Sequence, residues 1–391
     1  MLNSNTLNFY QTADLNDRKA KGQYMTPFNI CDKALNIDLT KYNKILEPSC
    51  GTGQFIDSII KKKSNAKITG VEFDDTIFQS ISKIYKTNKN IKLINHDFLN
   101  WETEEKFDLI VGNPPYFEFK PSSNIKKLYG DVICGRANIY SLFIKKSIDL
   151  LNPNGLLIFV IPTSILSSAY FKNIRNYIVQ FCNIEKIEIL NTDDFEDAQQ
   201  QTMVFQLKKL GLDELSDGKY IVNINETVIF NNEYEQINLI LKDKKFVKDL
   251  GCSVKTGSIV WNQHKDELED DETDDNHLLV YPRNLSNGSL VLSSHDKKKQ
   301  YLNTDKIPIL APVIAINRII GVKDISLNPV LIKTGKYHFE NHVNVITGKL
   351  KNLEKIYKSF KKPETVKFIK RIIGNTQLSK NELEQMVPIF E

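Results

Sequence analysis

The chain has 391 residues, of which 41% are hydrophobic and 26% charged, with a formal net charge of +4. These values describe a folded protein long enough for two domains and exclude a disordered or low-complexity chain. Five scattered cysteines, odd in number and never in C-x-x-C spacing, point away from a disulfide framework or a zinc site and toward a reducing cytoplasm.

The opening residues lack an apolar core behind a basic start, and the longest apolar run, "GLLIFVIP", is too short to span a bilayer, so neither export nor a membrane role is expected. From residue 44 onward, short β-rich runs alternate with amphipathic stretches. "KILE" is followed by "QFIDSIIKKK", and "KITGVEF" by "TIFQSISKIYK". "IKLINH" and "FDLIVG" come next, then "IYSLFIKKSIDLL" and "GLLIFVIP". Such alternation predicts an α/β domain, doubly wound, with a parallel sheet covered by helices on both faces.

After "QQQTMVFQLKK" the texture changes at "LGLDELSDGKY", which reads as a turn or linker. The expected division is a catalytic domain over residues 1–244, with 211–244 as connecting segment, and an α+β domain over 245–391. The run "DELEDDETDD" holds eight acids in ten residues and is expected to be a solvated loop. Residues 349–373 hold nine Lys or Arg against Glu354 and Glu364, a local +7 that leaves −3 for the rest. That stripe is either a solvated helix face or a polyanion contact.

The chemistry is concentrated at four strand ends. "ILEPSCGTGQF" reads as strand, glycine turn and helix start, with Ser49, Cys50, Gly51 and Gly53 forming the loop. Alone, a G-x-G can be purely structural. Glu47 in front of it would repel a pyrophosphate and suits an ammonium group instead. Glu72, 25 residues later in "GVEFDD" beside Phe73, stands where doubly wound sheets place the carboxylate that grips ribose hydroxyls. In "NHDF", Asp97 can accept from an adenine amino group and Phe98 can flank a purine; the plainer roles are a helix cap and a core residue. Taken together, the three acids fit the adenosine and methionine halves of S-adenosylmethionine.

"GNPPYF" follows the fourth strand, and its prolines stop the strand and stiffen what comes after. An adenine amino nitrogen is a poor nucleophile because its lone pair is delocalised. Acceptors at the Asn113 side chain and the Pro114 carbonyl, aimed by Pro114 and Pro115, favour the tetrahedral amine that can take a methyl group. Tyr116 is placed to stack on a base flipped out of the duplex.

These residues resemble the gamma group of DNA adenine amino-methyltransferases, TaqI-like type II modification enzymes of restriction-modification systems. The likeness is carried by "EPSCGTGQF", "GVEFDD", "NHDF", "GNPPYF" and, upstream, "KGQYMTPFNICDKAL", and continues faintly through "VKTGSIVWNQHKD" and "VYPRNL". It implies site-specific adenine-N6 methylation of double-stranded DNA with S-adenosylmethionine and no metal. A monomer is expected, with any cognate restriction endonuclease acting separately. It also implies a cofactor contact at Thr26, a second stacking wall at Phe195, and DNA recognition by residues 245–391. There Lys367, Lys370 and Arg371 would touch phosphates, and Trp261, Asn262, Gln263 and His264 could reach base edges or simply pack. Asn-Pro-Pro-Tyr also occurs in methyltransferases of ribosomal RNA and of protein glutamine, and a similar site methylates the cytosine amino group. Cytosine ring-carbon methylation is disfavoured, because its nucleophilic cysteine generally follows proline and no Pro-Cys dipeptide occurs.

Overall fold

The computed structural model describes Thr6 and residues 25–62, 64–135, 137–191, 201–292, 300–321, 325–373 and 377–391. The chain divides into two compact units. One is Met1–Ile221 with Val228–Tyr234, and the other is Val222–Thr227 with Glu235–Glu391. The crossings fall inside the stretch read from sequence as a connecting segment.

The first unit is built on a seven-stranded sheet. Its strands are β1 (Lys44–Glu47), β2 (Lys67–Glu72), β3 (Ile91–Asn95), β4 (Phe107–Gly112), β5 (Leu151–Pro162), β6 (Cys182–Ile189) and β7 (Thr202–Lys209). Their spatial order is β3-β2-β1-β4-β5-β7-β6. The first five in that order are parallel, whereas β7 runs antiparallel to both β5 and β6. The parallel sheet read from the sequence is thus present in β1 to β5, and the antiparallel β7 makes the whole sheet a mixed one. An antiparallel neighbour can be reached without a crossover helix, whereas each parallel neighbour requires a crossover connection.

Helices α1 (Phe28–Ala34), α2 (Gln54–Lys61), α3 (Asp75–Tyr85), α4 (Ser123–Tyr129), α5 (Ile139–Leu150) and α6 (Lys172–Phe181) belong to this unit. Alternate residues of the central strands feed two separate cores. Ile110, Leu157, Phe159 and Ile161 pack with α5 and α6, while Leu109, Val111, Ile158 and Val160 pack with α1, α2 and α3. Period-two alternation inside apolar runs thus buries both faces, which explains why these strands carry almost no polar residues. The helices cover the sheet with matching stripes. In α3, Ile77, Ile81 and Tyr85 recur every fourth residue, and the Asp74 side chain caps its start by accepting from the Thr76 and Ile77 amides.

The order runs outward in opposite directions from β1 and β4, so the switch point lies between those two strands. A doubly wound sheet binds its ligand in the crevice at the carboxyl ends there.

Among its described residues the second unit holds helix α7 (Tyr234–Leu241) from Glu235 onward, a four-stranded sheet, a five-stranded sheet and the two-stranded pair Leu285–Ser286 with Ser289–Leu290. Strands β8 (Ser253–Thr256), β10 (Val313–Asn317), β11 (Val330–Ile332) and β13 (Val343–Thr347) form an antiparallel sheet in the order β8-β13-β10-β11. A five-stranded sheet centres on the parallel pair β9 (His277–Val280) and β12 (Lys336–Phe339). Helices α8 (Leu350–Phe360), α9 (Pro363–Ile372) and α10 (Lys380–Gln385) follow. α8 buries Leu353, Ile356 and Phe360, and α9 buries Phe368, Ile369 and Ile372. Their lysines are thereby turned outward.

Candidate functional site

The loop after β1 is shaped by two left-handed glycines, Gly51 at φ 51° and Gly53 at φ 84°. Gly53 is also required sterically: a Cβ there would lie 2.4 Å from the Tyr85 hydroxyl. That hydroxyl, with one hydrogen to give, lies 3.1 Å from the Gly53 carbonyl and 2.7 Å from Asp57 Oδ1, so α3 clamps the turn from which α2 starts. Sequence reading missed Tyr85, because its four-residue spacing marks it as core and nothing in the sequence advertises its hydroxyl.

Glu47 ends β1 with only 2% of its surface exposed, and its Oε2 has no hydrogen-bond partner. Burial, reinforced by the carboxylates of Asp57 and Glu72, pushes its proton affinity well above the ordinary carboxylate range. Glu72 ends β2 and is likewise buried. Its Oε2 accepts from the Gly51 amide at 2.7 Å and its Oε1 from the Asp74 amide at 2.8 Å. Burial raises its proton affinity too, and those two amides oppose the rise. Phe73 next to it is 76% exposed, an aromatic face standing free at the end of β2.

Asp97 caps the turn Phe98–Asn100: Oδ1 accepts from the Leu99 amide at 3.0 Å and Oδ2 from the Asn100 side chain at 2.5 Å. Phe98 is buried, with its ring 4.9 Å from that of Phe143. Its burial matches the plainer of the two roles that the sequence allowed, a core residue. Lys146 of α5 braces this turn from behind. Its Nζ donates to the Leu99 carbonyl at 3.2 Å and to the Trp101 carbonyl, and lies 5.1 Å above the Phe98 ring. Thr26 is buried, and its carbonyl accepts from the Gln54 amide side chain. Phe195 lies outside the described residues.

Asn113, Pro114, Pro115 and Tyr116 follow β4, with Pro114 buried and the other three half-buried. The two sides of the switch point are stitched together, because Ser49 Oγ donates to the Asn113 carbonyl at 3.2 Å. The Tyr116 hydroxyl meets both Asn113 Oδ1 and the Val160 carbonyl, the latter at 2.6 Å. Its ring stands edge-on to the buried Tyr140, centroids 6.1 Å apart. Beyond it, Glu118–Phe119 pairs with Ala137–Asn138, with α4 between them in the chain.

Residues 9–195 match the family model described as Eco57I restriction-modification methylase. The matched segment is similar to that family and covers just under half of the chain. Over its length the chain is 28% identical to the type II methyltransferase M.CvrRI of Paramecium bursaria Chlorella virus XZ-6E, covering 98% of each. It is 36% identical over 198 residues to the modification methylase CviBIII of Paramecium bursaria Chlorella virus NC1A, spanning 49% of this chain and 51% of that one. Among solved structures, the type IIG restriction endonuclease BpuSI aligns with a TM-score of 0.45 and 12% identity over 94% of this chain and 59% of its own.

The cofactor is S-adenosylmethionine, and the site fits it. A buried carboxylate with an orphaned oxygen calls for a cation, and the methionine ammonium is one. Glu72 retains acceptor capacity beyond its two amides for ribose hydroxyls, and Phe73 offers a face for the adenine. Among the described residues no group of His, Cys, Asp and Glu could hold a metal ion, and no helix is long and apolar enough to cross a membrane.

In the second unit Asn262 and Gln263 are exposed on a short turn, whereas Trp261 is half-buried against Ile259, Leu268 and Leu279. His264 is engaged, with Nδ1 2.9 Å from Glu267 Oε2 and Nε2 3.1 Å from Lys306 Nζ. Lys367 and Lys370 are exposed, and Arg371 is half-buried.

Proposed function

We propose that this chain is a site-specific DNA adenine-N6 methyltransferase of the TaqI-like gamma group, acting on an adenine flipped out of the duplex as the modification half of a restriction-modification system. The observation that carries the reading is the Ser49–Asn113 hydrogen bond, which holds the Asn-Pro-Pro-Tyr segment against the Glu47–Gly53 loop at the sheet's switch point. When bound, S-adenosylmethionine supplies an electrophilic methyl group on a sulfonium.

The chain's own residues do the rest. Asn113 Oδ1 and the Pro114 carbonyl accept the two hydrogens of an amino group and favour its tetrahedral shape. The stiff proline pair holds them in place without reorganisation, the condition under which such acceptors are most effective. A phenol has one hydrogen, so Tyr116 can donate to Asn113 Oδ1 or to Val160 but not to both. An incoming amino group that takes Asn113 Oδ1 therefore leaves the phenol to Val160, and the ring stays where a base can stack on it. Exposed Lys367 and Lys370 suit phosphate contacts, with Arg371 beside them, while Asn262 and Gln263 suit base edges.

The test is to incubate the protein with radiolabelled S-adenosylmethionine and, separately, duplex DNA, RNA and protein, and to map the modified atom. Label at adenine N6 in a fixed duplex sequence is expected. Label confined to RNA, to a glutamine side chain or to the cytosine amino group would replace this reading.

A further inference from the structure

Tyr116 is braced from β5 and from α5. Its hydroxyl lies 2.6 Å from the Val160 carbonyl on β5, and its ring stands at 86° to that of Tyr140, in the first turn of α5, with centroids 6.1 Å apart. Tyr140 is fully buried and is itself fixed in two ways. Its hydroxyl lies 3.0 Å from Ser164 Oγ, and Phe171 stacks on its ring with centroids 5.1 Å apart. Stacked rings can slide over one another, whereas a hydrogen bond is directional, so the hydroxyl contact is what fixes the position of the Tyr140 ring.

Ser164 belongs to the turn Thr163–Leu166 that leaves β5 just beyond Val160, so both phenols are anchored on one stretch of chain. The Ser168 amide closes that turn by donating to the Ser164 carbonyl at 3.1 Å. Arg175 of α6, fully buried, grips it: Nη1 donates to the Ile165 and Ser168 carbonyls at 2.9 and 2.7 Å, and Nε to the Val228 carbonyl at 2.6 Å. Burial lowers the Arg175 pKa to about 10, which leaves the guanidinium charged at neutral pH, and charged donors make the stronger hydrogen bonds. We propose that Tyr140, anchored by Ser164, is a positioning residue for methyl transfer: it fixes the tilt of the Tyr116 ring on which the flipped base stacks, and acts on the base only through Tyr116. A core tyrosine whose hydroxyl simply finds a partner would leave the rate untouched. The inference rests on the base-stacking role proposed above for Tyr116.

The test uses the full-length protein and a duplex carrying the target sequence mapped as above. Tyr140→Phe keeps the ring and loses the Ser164 contact. Single-turnover methyl transfer should slow about 3- to 10-fold, the size of one net hydrogen bond, with the cofactor dissociation constant unchanged. Ser164→Ala should slow it equally and the double variant no further, while Ser164→Thr, which keeps a hydroxyl, should recover most of the rate. In a Tyr116→Ala background, Tyr140→Phe should add nothing. A duplex with 2-aminopurine at the target position reads stacking directly, and its emission in the complex should rise in Tyr140→Phe as the base loses contact with the Tyr116 ring.

A Tyr140→Phe enzyme with the wild-type rate and emission, even one with a lowered urea midpoint, would overturn this proposal alone. So would a slowing that persists undiminished in the Tyr116→Ala background, because Tyr140 would then act by another route. If the wild type methylated no base in duplex DNA, this proposal and the reading of function would fall together.

Discussion

Ser49 Oγ lies 3.2 Å from the main-chain oxygen of Asn113, joining residues 64 positions apart across the gap between β1 and β4. Ser49→Ala removes one half-buried hydrogen bond and should cost about 1 kcal/mol of stability. Methyl transfer should fall by more than that loss explains, because Asn113 loses its tether. Comparing urea midpoints with single-turnover rates would show it; proportional changes would mean that the bond is only structural.

Asn113→Ala should lower the methyl-transfer rate by roughly 10² to 10³, as expected for loss of a preorganised acceptor. Cofactor affinity should stay near that of the wild type. Single-turnover rates paired with cofactor dissociation constants separate the two effects, and unchanged turnover would remove Asn113 from the chemistry.

Glu72→Ala strips acceptors from the Gly51 and Asp74 amides and from the ribose that the proposed site would hold. A hydrogen bond to a charged group is worth about 1.5 to 3 kcal/mol, so cofactor affinity should fall by about 10-fold or more. An unaltered dissociation constant would contradict the ribose assignment.

Gly53→Ala forces a side chain into the left-handed region and against the Tyr85 hydroxyl. The destabilisation should be about 1 to 3 kcal/mol. Adding Tyr85→Phe should recover the steric part but not the backbone strain, a non-additivity that a thermal-unfolding double-mutant cycle measures.

His338 is buried, and desolvation, with help from His277, Lys306 and His264, lowers its pKa to about 4 from 6.5. Between those values the unfolded chain binds a proton that the folded protein refuses. Stability should therefore fall as the pH drops from 6.5 toward 4, with a slope of up to about one proton. His338→Phe should flatten that slope in urea titrations over this range; an unchanged slope would locate the acid sensitivity elsewhere.

The sequence by itself determined what depends on neighbours in the chain. Apolar runs set the strands, Gly51 and Gly53 set the turn, and the acids Glu47, Glu72 and Asp97 stand at or just beyond strand ends. Each of these follows from local steric preference or from the period of a strand or helix. The tertiary structure alone decided the antiparallel β7, the burial of Phe98, the engagement of His264 by Lys306, and the clamp of Tyr85 on Gly53 and Asp57. All four depend on groups distant in sequence meeting in space, and a one-dimensional pattern carries no record of which buried side chain a hydroxyl or an amine will find.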